Sequence, residues 1–119
     1  MALIDRVAHR LKLRDLRLLQ AVVQWQSMAK AAAHLNLTQP AVSKAISELE
    51  YTLGVRLLDR SRQGIEPTAH GRALIKRGIA IFDELRQGVS EIEYLSDPTA
   101  GEVRVAASIV MAAGILPSL

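Results

Sequence analysis

The sequence predicts a mainly α fold, a winged helix-turn-helix followed by a long dimerisation helix. Residues 27–54 hold two short helical patterns separated by the break Leu35-Asn36-Leu37-Thr38, about the length of a helix-turn-helix turn. Residues 69–96 hold one helical pattern too long for a small domain to cover. Half of the 119 residues are hydrophobic, yet aromatics make up only 3%. The core must therefore be aliphatic, and Leu and Ala are strong helix formers.

Residues 1–10 read as a short amphipathic turn or a mobile terminus. A helix is predicted over 13–26, with Leu16, Leu19 and Val23 on one face and Leu18, Val22 and Trp25 beside it, a broad apolar stripe. Trp25 lies on that stripe without an aromatic neighbour, so it reads as a core or interface anchor rather than a stacking platform for bases.

The paired helices follow at about 28–35 and 39–53. Ser27 and Thr38 open them, and such hydroxyls accept hydrogen bonds from orphaned N–H groups of the first turn. Ala29, Ala32 and Ala33 permit close packing. Val42, Ala45, Ile46, Leu49 and Leu53 recur at steps of three and four, forming one apolar face. Gly54 closes the helix in the left-handed region. The other face carries Gln39, Pro40, Ser43, Lys44 and Ser47, with no acid until Glu48. A small polar face with a cation can enter a major groove and read base edges. A helical hairpin with a solvated face fits these residues equally well.

Val55-Arg56-Leu57-Leu58-Asp59-Arg60, a turn at Ser61-Arg62-Gln63-Gly64, and Ile65-Glu66-Pro67 read as a two-stranded wing over 56–67 with Arg60 and Arg62 at its tip. The plainer alternative is a surface hairpin with solvated arginines.

Thr68 is the expected N-cap of a helix over 69–96, roughly 40 Å long at 1.5 Å per residue. Ile75, Phe82 and Val89 are spaced by sevens, as are Gly78, Leu85 and Ile92, and Leu74, Ile81, Gly88 and Leu95. The simplest cover for this stripe is a second copy, packed as a coiled-coil-like pair. Leu74, Ile75, Gly78, Ile81, Phe82, Leu85, Val89 and Ile92 are the expected interface. Gly71, Gly78 and Gly88 each weaken the helix by up to about 1 kcal/mol relative to Ala, and close backbone approach would account for them. Residues 97–101, Asp-Pro-Thr-Ala-Gly, read as a hinge. Val103 and Val105 mark a weak strand alternation beyond it.

Charge is uneven. Residues 1–68 hold ten Lys or Arg against six Asp or Glu, and residues 69–119 hold five against six. An excess of this size supports a nucleic-acid partner only together with the motif. The chain has no cysteine, which excludes disulfides and thiolate metal sites. No apolar run reaches the roughly 20 residues of a membrane span. Asp5, Arg6 and Arg10 interrupt the N-terminal apolar stretch, so no secretory signal is expected and a cytoplasmic protein is. His9, His34 and His70 fall on different elements without metal-ligand spacing. Neither a phosphate-binding Gly-rich loop nor a GxSxG elbow is present. Ser43 and Lys44 are adjacent, which on a helix points them apart. No catalysis, cofactor or metal is expected.

The run S-M-A-K-A-A-x-x-L-N-L-T-Q-P-A-V-S-K-x-I-x-x-L-E-x-x-L-G-V-x-L-L-D-R, with P-T-x-x-G from Pro67 to Gly71, resembles the DNA-binding domain of the LysR-type transcriptional regulators. The resemblance covers roughly residues 11 to 107, and its motifs keep the family's order and separations. The K-L-R-D-L-R-L-L wording near the start resembles the branch containing the galactose-binding-protein and protocatechuate regulators.

The resemblance implies a winged helix-turn-helix DNA-binding domain at 11–68, with the helix-turn-helix at 28–47 and the wing at 56–67. A linker and dimerisation helix at 69–96, a hinge at 97–101, and the start of a truncated effector-binding domain at 102–119 follow. It implies that Gln39, Pro40, Ser43 and Lys44 approach bases and nearby phosphates. Thr38 caps the helix and touches the DNA backbone, while Lys30, Arg60, Arg62 and Gln63 hold phosphates or the wing's groove. Ser108 matches a position where the family sets a hydroxyl against the effector's carboxylate. The implied partners are double-stranded DNA with inverted half-sites and a second copy of the chain. A tetramer and a small-molecule effector belong to a full-length form, and no membrane partner is implied. The chain departs from the family pattern by stopping at Leu119 and by carrying Met1–Arg10 before the usual start, so the expectation is a DNA-binding part cut shortly after its linker helix. A reading from another class is a dimerisation module that titrates full-length partners and binds DNA only weakly.

Overall fold

A computed structural model describes residues 2–97. The elements run α1 (Leu3–Arg10), α2 (Leu13–Trp25), α3 (Met28–His34), α4 (Gln39–Leu53), β1 (Leu58–Ser61), β2 (Gly64–Pro67) and α5 (Ala69–Ser96). Two compact units divide at Gly78. The first holds the helix-turn-helix, the wing and the opening turns of α5; the second, among the described residues, is the remainder of α5.

The core of the first unit is aliphatic, as the low aromatic content requires. Leu18, Leu19, Val22, Ala31, Val42, Ile46, Leu49 and Leu57 are all nearly or completely inaccessible. The apolar stripes of α2 and α4 meet there, with Ala31 and Ala32 of α3 between them. Trp25 packs at the edge of this core, its ring 4.4 Å from that of His34. It is an anchor, not an exposed platform.

Each predicted cap forms. Ser27 Oγ accepts from the Lys30 N–H at 3.1 Å and Thr38 Oγ1 from the Ala41 N–H at 3.2 Å. Gly54 closes α4 at φ 71°. Two left-handed residues lie outside the predicted pattern. Gln26 (φ 54°) ends α2, and Asn36 (φ 57°) makes the bend between α3 and α4. Asn is among the few non-glycine residues that tolerate this region, because its short side chain bonds locally.

Residues 3–10 form a full helix rather than a turn. Asp5 complements its N-terminal dipole, and His9 and Arg10 sit in its last turn. The helix packs against α4 but buries no residue, leaving Leu3 and Ile4 exposed.

The wing is a two-stranded antiparallel hairpin with Leu58 opposite Pro67 and Ser61 opposite Gly64. The turn falls at Ser61–Gly64 as expected, with Arg62-Gln63 at the tip and Arg60 on β1 just before it. Ser61 Oγ accepts from the Gln63 N–H and donates to the Gly64 carbonyl. Behind the wing, Thr68 caps α5 by accepting from the Gly71 N–H at 3.0 Å.

The α5 glycines separate into distinct cases. A Cβ on Gly71 would stand 2.1 Å from the Leu57 carbonyl oxygen, so close backbone approach does account for this one. At Gly78 it would meet Leu16 at 3.6 Å, an ordinary contact, and at Gly88 nothing lies within 4 Å. The expected dimer stripe is also divided. Leu74 and Ile75 pack against the chain's own core, and Gly78 is buried. These three therefore also have contacts within their own chain, whereas Ile81, Leu85, Val89 and Ile92 of the stripe are exposed. The hinge residues 98–101 and everything expected of 102–119, Ser108 included, lie outside the described residues.

Gly71→Ala should destabilise the first unit by about 1–3 kcal/mol, the usual penalty for forcing atoms into a filled site. Gly88→Ala should be neutral or stabilising by up to about 1 kcal/mol, since Ala is the better helix former. Urea midpoints for the two variants test this, and equal midpoints would contradict the packing at Leu57.

Candidate nucleic-acid interface

The polar face of α4 is held outward because its opposite face is the core. Val42, Ala45, Ile46 and Leu49 are buried, which leaves Gln39, Pro40, Lys44 and Ser47 exposed and Ser43 half-buried. Pro40 falls in the first turn, where its missing N–H costs nothing. Lys44 is 3.9 Å from the Glu48 carboxylate, with both side chains largely in solvent. Such a pair is worth little and is easily exchanged.

The wing stands along one edge of this face. One groove is lined by Ser43, Ser47 and Glu50 of α4 with Arg56, Leu58 and Arg60 opposite. A second runs past Gln39, the start of α3 at Ser27–Ala29, and Arg60 and Ser61 of the wing. Arg60 thus lines both grooves, beside Ser43 in one and Gln39 in the other. Lys30, Arg62 and Gln63 line neither. Lys30 is exposed on α3, and Arg62 and Gln63 are exposed at the wing tip. Thr38 is exposed as well, but its hydroxyl is already engaged as the cap.

Two residues outside the predicted set build this geometry. Glu50 of α4 reaches across to the wing, its Oε2 accepting from the Leu57 N–H at 2.7 Å and the Leu58 N–H at 3.4 Å. Charge-assisted bonds of this kind are stronger than neutral ones, so α4 and the wing are joined directly. Arg56 donates to the Leu58 carbonyl at 3.2 Å and lies 3.8 Å from Asp59. The sequence signal for Glu50 was its place in L-E-x-x-L-G, but an acid on a helix reads as solvated until its partner strand is known. The wing is further fixed through Gln26, whose carbonyl accepts from the Ile65 N–H at 3.4 Å.

A polar face with few committed groups, bordered by arginines on an antiparallel ribbon, can present donors to a polyanion while its small side chains approach base edges.

The sequence model of the family described as "Bacterial regulatory helix-turn-helix protein, lysR family" matches residues 13–72. The transcriptional regulator YdcI of Escherichia coli (strain K12) is 36% identical over 112 residues, covering 94% of this chain and 36% of that protein. The SDS degradation transcriptional activation protein of Pseudomonas sp. (strain ATCC 19151) is 38% identical, covering 88% of this chain and 34% of its own length. Among solved structures, the BenM DBD in complex with catB site 1 DNA superposes with a TM-score of 0.71 at 34% identity, covering 75% of this chain and 96% of that one. The chain spans about a third of the length of the curated relatives it matches.

Glu50→Ala should lower stability by about 1–3 kcal/mol by stranding two backbone donors, with Glu50→Gln losing less because one acceptor remains. Amide exchange followed by NMR should show the Leu57 N–H exchanging faster in the Ala variant. An unchanged Leu57 rate would mean that the carboxylate does not hold the wing.

Proposed function

The chain belongs to the lysR family of bacterial regulatory helix-turn-helix proteins, and on that premise we propose that it is the DNA-binding part of a transcription regulator. The observation carrying the proposal is the outward face of α4 bordered by the Arg60 edge of the wing. Helix α4 enters the major groove, and Gln39, Pro40, Ser43 and Lys44 approach base edges and adjacent phosphates. Thr38 orders the helix start next to the DNA backbone. Lys30, Arg60, Arg62 and Gln63 hold the phosphates or the wing's own groove. The place of action is the bacterial cytoplasm, and no chemistry on a substrate is proposed.

Dimerisation belongs to the same reading. Ile81, Leu85, Val89 and Ile92 fall on one stripe of α5 and are each at least two-fifths exposed. Phe82 is half-buried beside them. An apolar stripe on a helix is stabilised by a matching stripe, and a second copy supplies one. Two winged units related by a two-fold axis would then meet inverted half-sites. Assembly into tetramers and response to a small-molecule effector are proposed for a longer form alone.

Reading and holding are separable. Gln39→Ala should cost about 1–3 kcal/mol on a selected cognate site and much less on scrambled DNA. Arg62→Ala should weaken both and lower the salt slope by about one unit. Affinities on both duplexes at several salt concentrations check this; the reverse pattern would exchange the two roles. For assembly, Leu85→Asp should set a charge in the seam and yield monomers with weak operator binding. An unchanged dimer in light scattering would exclude this interface. A wild-type chain that dimerises yet binds no selected site would instead favour the partner-titrating module.

A further inference from the structure

Helix α4 has two flanks, and the wing occupies one of them. At roughly 100° per residue, Gln39, Ser43 and Glu50 fall on the wing's flank, as the groove they share with Arg56 and Arg60 requires. Ala45, Glu48 and Thr52 fall on the other flank. That flank is bordered by the end of α1 and the start of α2, where His9, Arg10, Lys12, Arg14 and Asp15 line a groove against α4. The wing therefore borders α4 between Gln39 and Glu50 on one flank, and the basic α1–α2 junction borders it between Ala45 and Thr52 on the other.

The second border is the more strongly charged. Residues 3–17 carry Arg6, Arg10, Lys12, Arg14 and Arg17 against Asp5 and Asp15, a surplus equal to the +3 of the whole chain. Arg6, Arg10, Lys12 and Arg14 are exposed and form no ion pair among the described residues. Arg6 and Arg10 are one helical turn apart on α1. Of the acids nearby, Asp15 is committed to the Lys12 N–H at 3.1 Å and Glu48 lies beside Lys44. Asp5 sits in the first turn of α1.

We propose that α1 and its junction with α2 form a second phosphate-binding border, with Arg6, Arg10, Lys12 and Arg14 meeting the DNA strand opposite the one met by the wing. The major groove is about 12 Å wide and a helix with side chains about 10–12 Å across. A helix lying in it has a phosphate strand on each side. A chain with cations on one flank only would neutralise one strand; this chain has them on both. This inference rests on the DNA-binding reading above.

The test uses the full chain and a labelled random-sequence duplex several turns long, because phosphate contacts are sequence-independent. Arg6→Gln/Arg10→Gln should lower the slope of log affinity against log salt by about two units, near 0.9 per lost phosphate. Arg6→Lys/Arg10→Lys should keep the wild-type slope. Neither residue is buried, so both variants should retain wild-type helix content by circular dichroism. A Gln pair with the wild-type slope overturns the second border while leaving the DNA-binding reading intact. A Lys pair that falls as far as the Gln pair overturns it too, by showing that charge is not what was lost. A wild-type chain that fails to bind the duplex overturns the DNA-binding reading itself.

Discussion

The peptide groups around Leu57 tie the first unit together. The Leu57 N–H donates to Glu50 of α4 at 2.7 Å, its carbonyl accepts from the Thr68 N–H at 2.9 Å, and its side chain is almost fully buried. The same carbonyl lies where a Cβ on Gly71 would have to go. One residue therefore joins α4, the entry to the wing and the start of α5. Thr68 adds a second tie, its hydroxyl donating to the Arg56 carbonyl at 2.6 Å while capping α5. Buried backbone groups without partners are costly. Here the costs are met by a carboxylate and a hydroxyl that reach between elements, so that satisfying the backbone also sets the angle between helix and wing.

That angle decides what the outer surface can do. With α4 and the wing fixed to each other, Arg60 stands beside both Gln39 and Ser43. A wing free to swing would have to be ordered on binding, at an entropic cost for each side chain and loop immobilised. The hydrogen bonds at Glu50 and Gln26 have already made that arrangement in the free chain.

Much of this was legible in the sequence because it depended on local chemistry. Ser27, Thr38 and Thr68 cap as hydroxyls do, Gly54 ends a helix as glycine does, and the apolar periods of α2 and α4 point inward. The legible features span a few residues each. What stayed hidden spans distance. Glu50 looks like any exposed acid until Leu57 and Leu58 are brought to it. Leu74 and Ile75 share the heptad spacing of α5 with Ile81 and Leu85, and spacing alone cannot tell which turns of a long helix meet their own domain. The left-handed Gln26 and Asn36 were hidden for another reason. Gln26 takes a conformation set by the helices it joins rather than by its own preference, and Asn36 tolerates the region without its identity alone specifying it. The wing's turn belongs with the legible features: the tetrapeptide Ser61-Arg62-Gln63-Gly64 sets the register that pairs Ser61 with Gly64 and leaves Arg60 on β1 just before the tip.

The distribution of charge carries the synthesis one step further. On the exposed face of α4 the cation Lys44 stands beside Glu48, so the face itself is close to neutral. Exposed cations in no ion pair among the described residues stand on the borders, at Arg60 and Arg62 of the wing and at Arg6, Arg10, Lys12 and Arg14 along α1 and the start of α2. Phosphate neutralisation dominates affinity and its salt dependence, whereas base-edge contacts supply discrimination. Under the proposed function the two tasks therefore fall to different surfaces of the same small unit. With Lys44 as its one cation, the central face adds less to nonspecific binding than the borders do. Strongly basic borders hold the duplex whatever its sequence. Substitutions on α4 can then change which site is chosen without changing how tightly DNA in general is held, and substitutions on the borders can do the opposite.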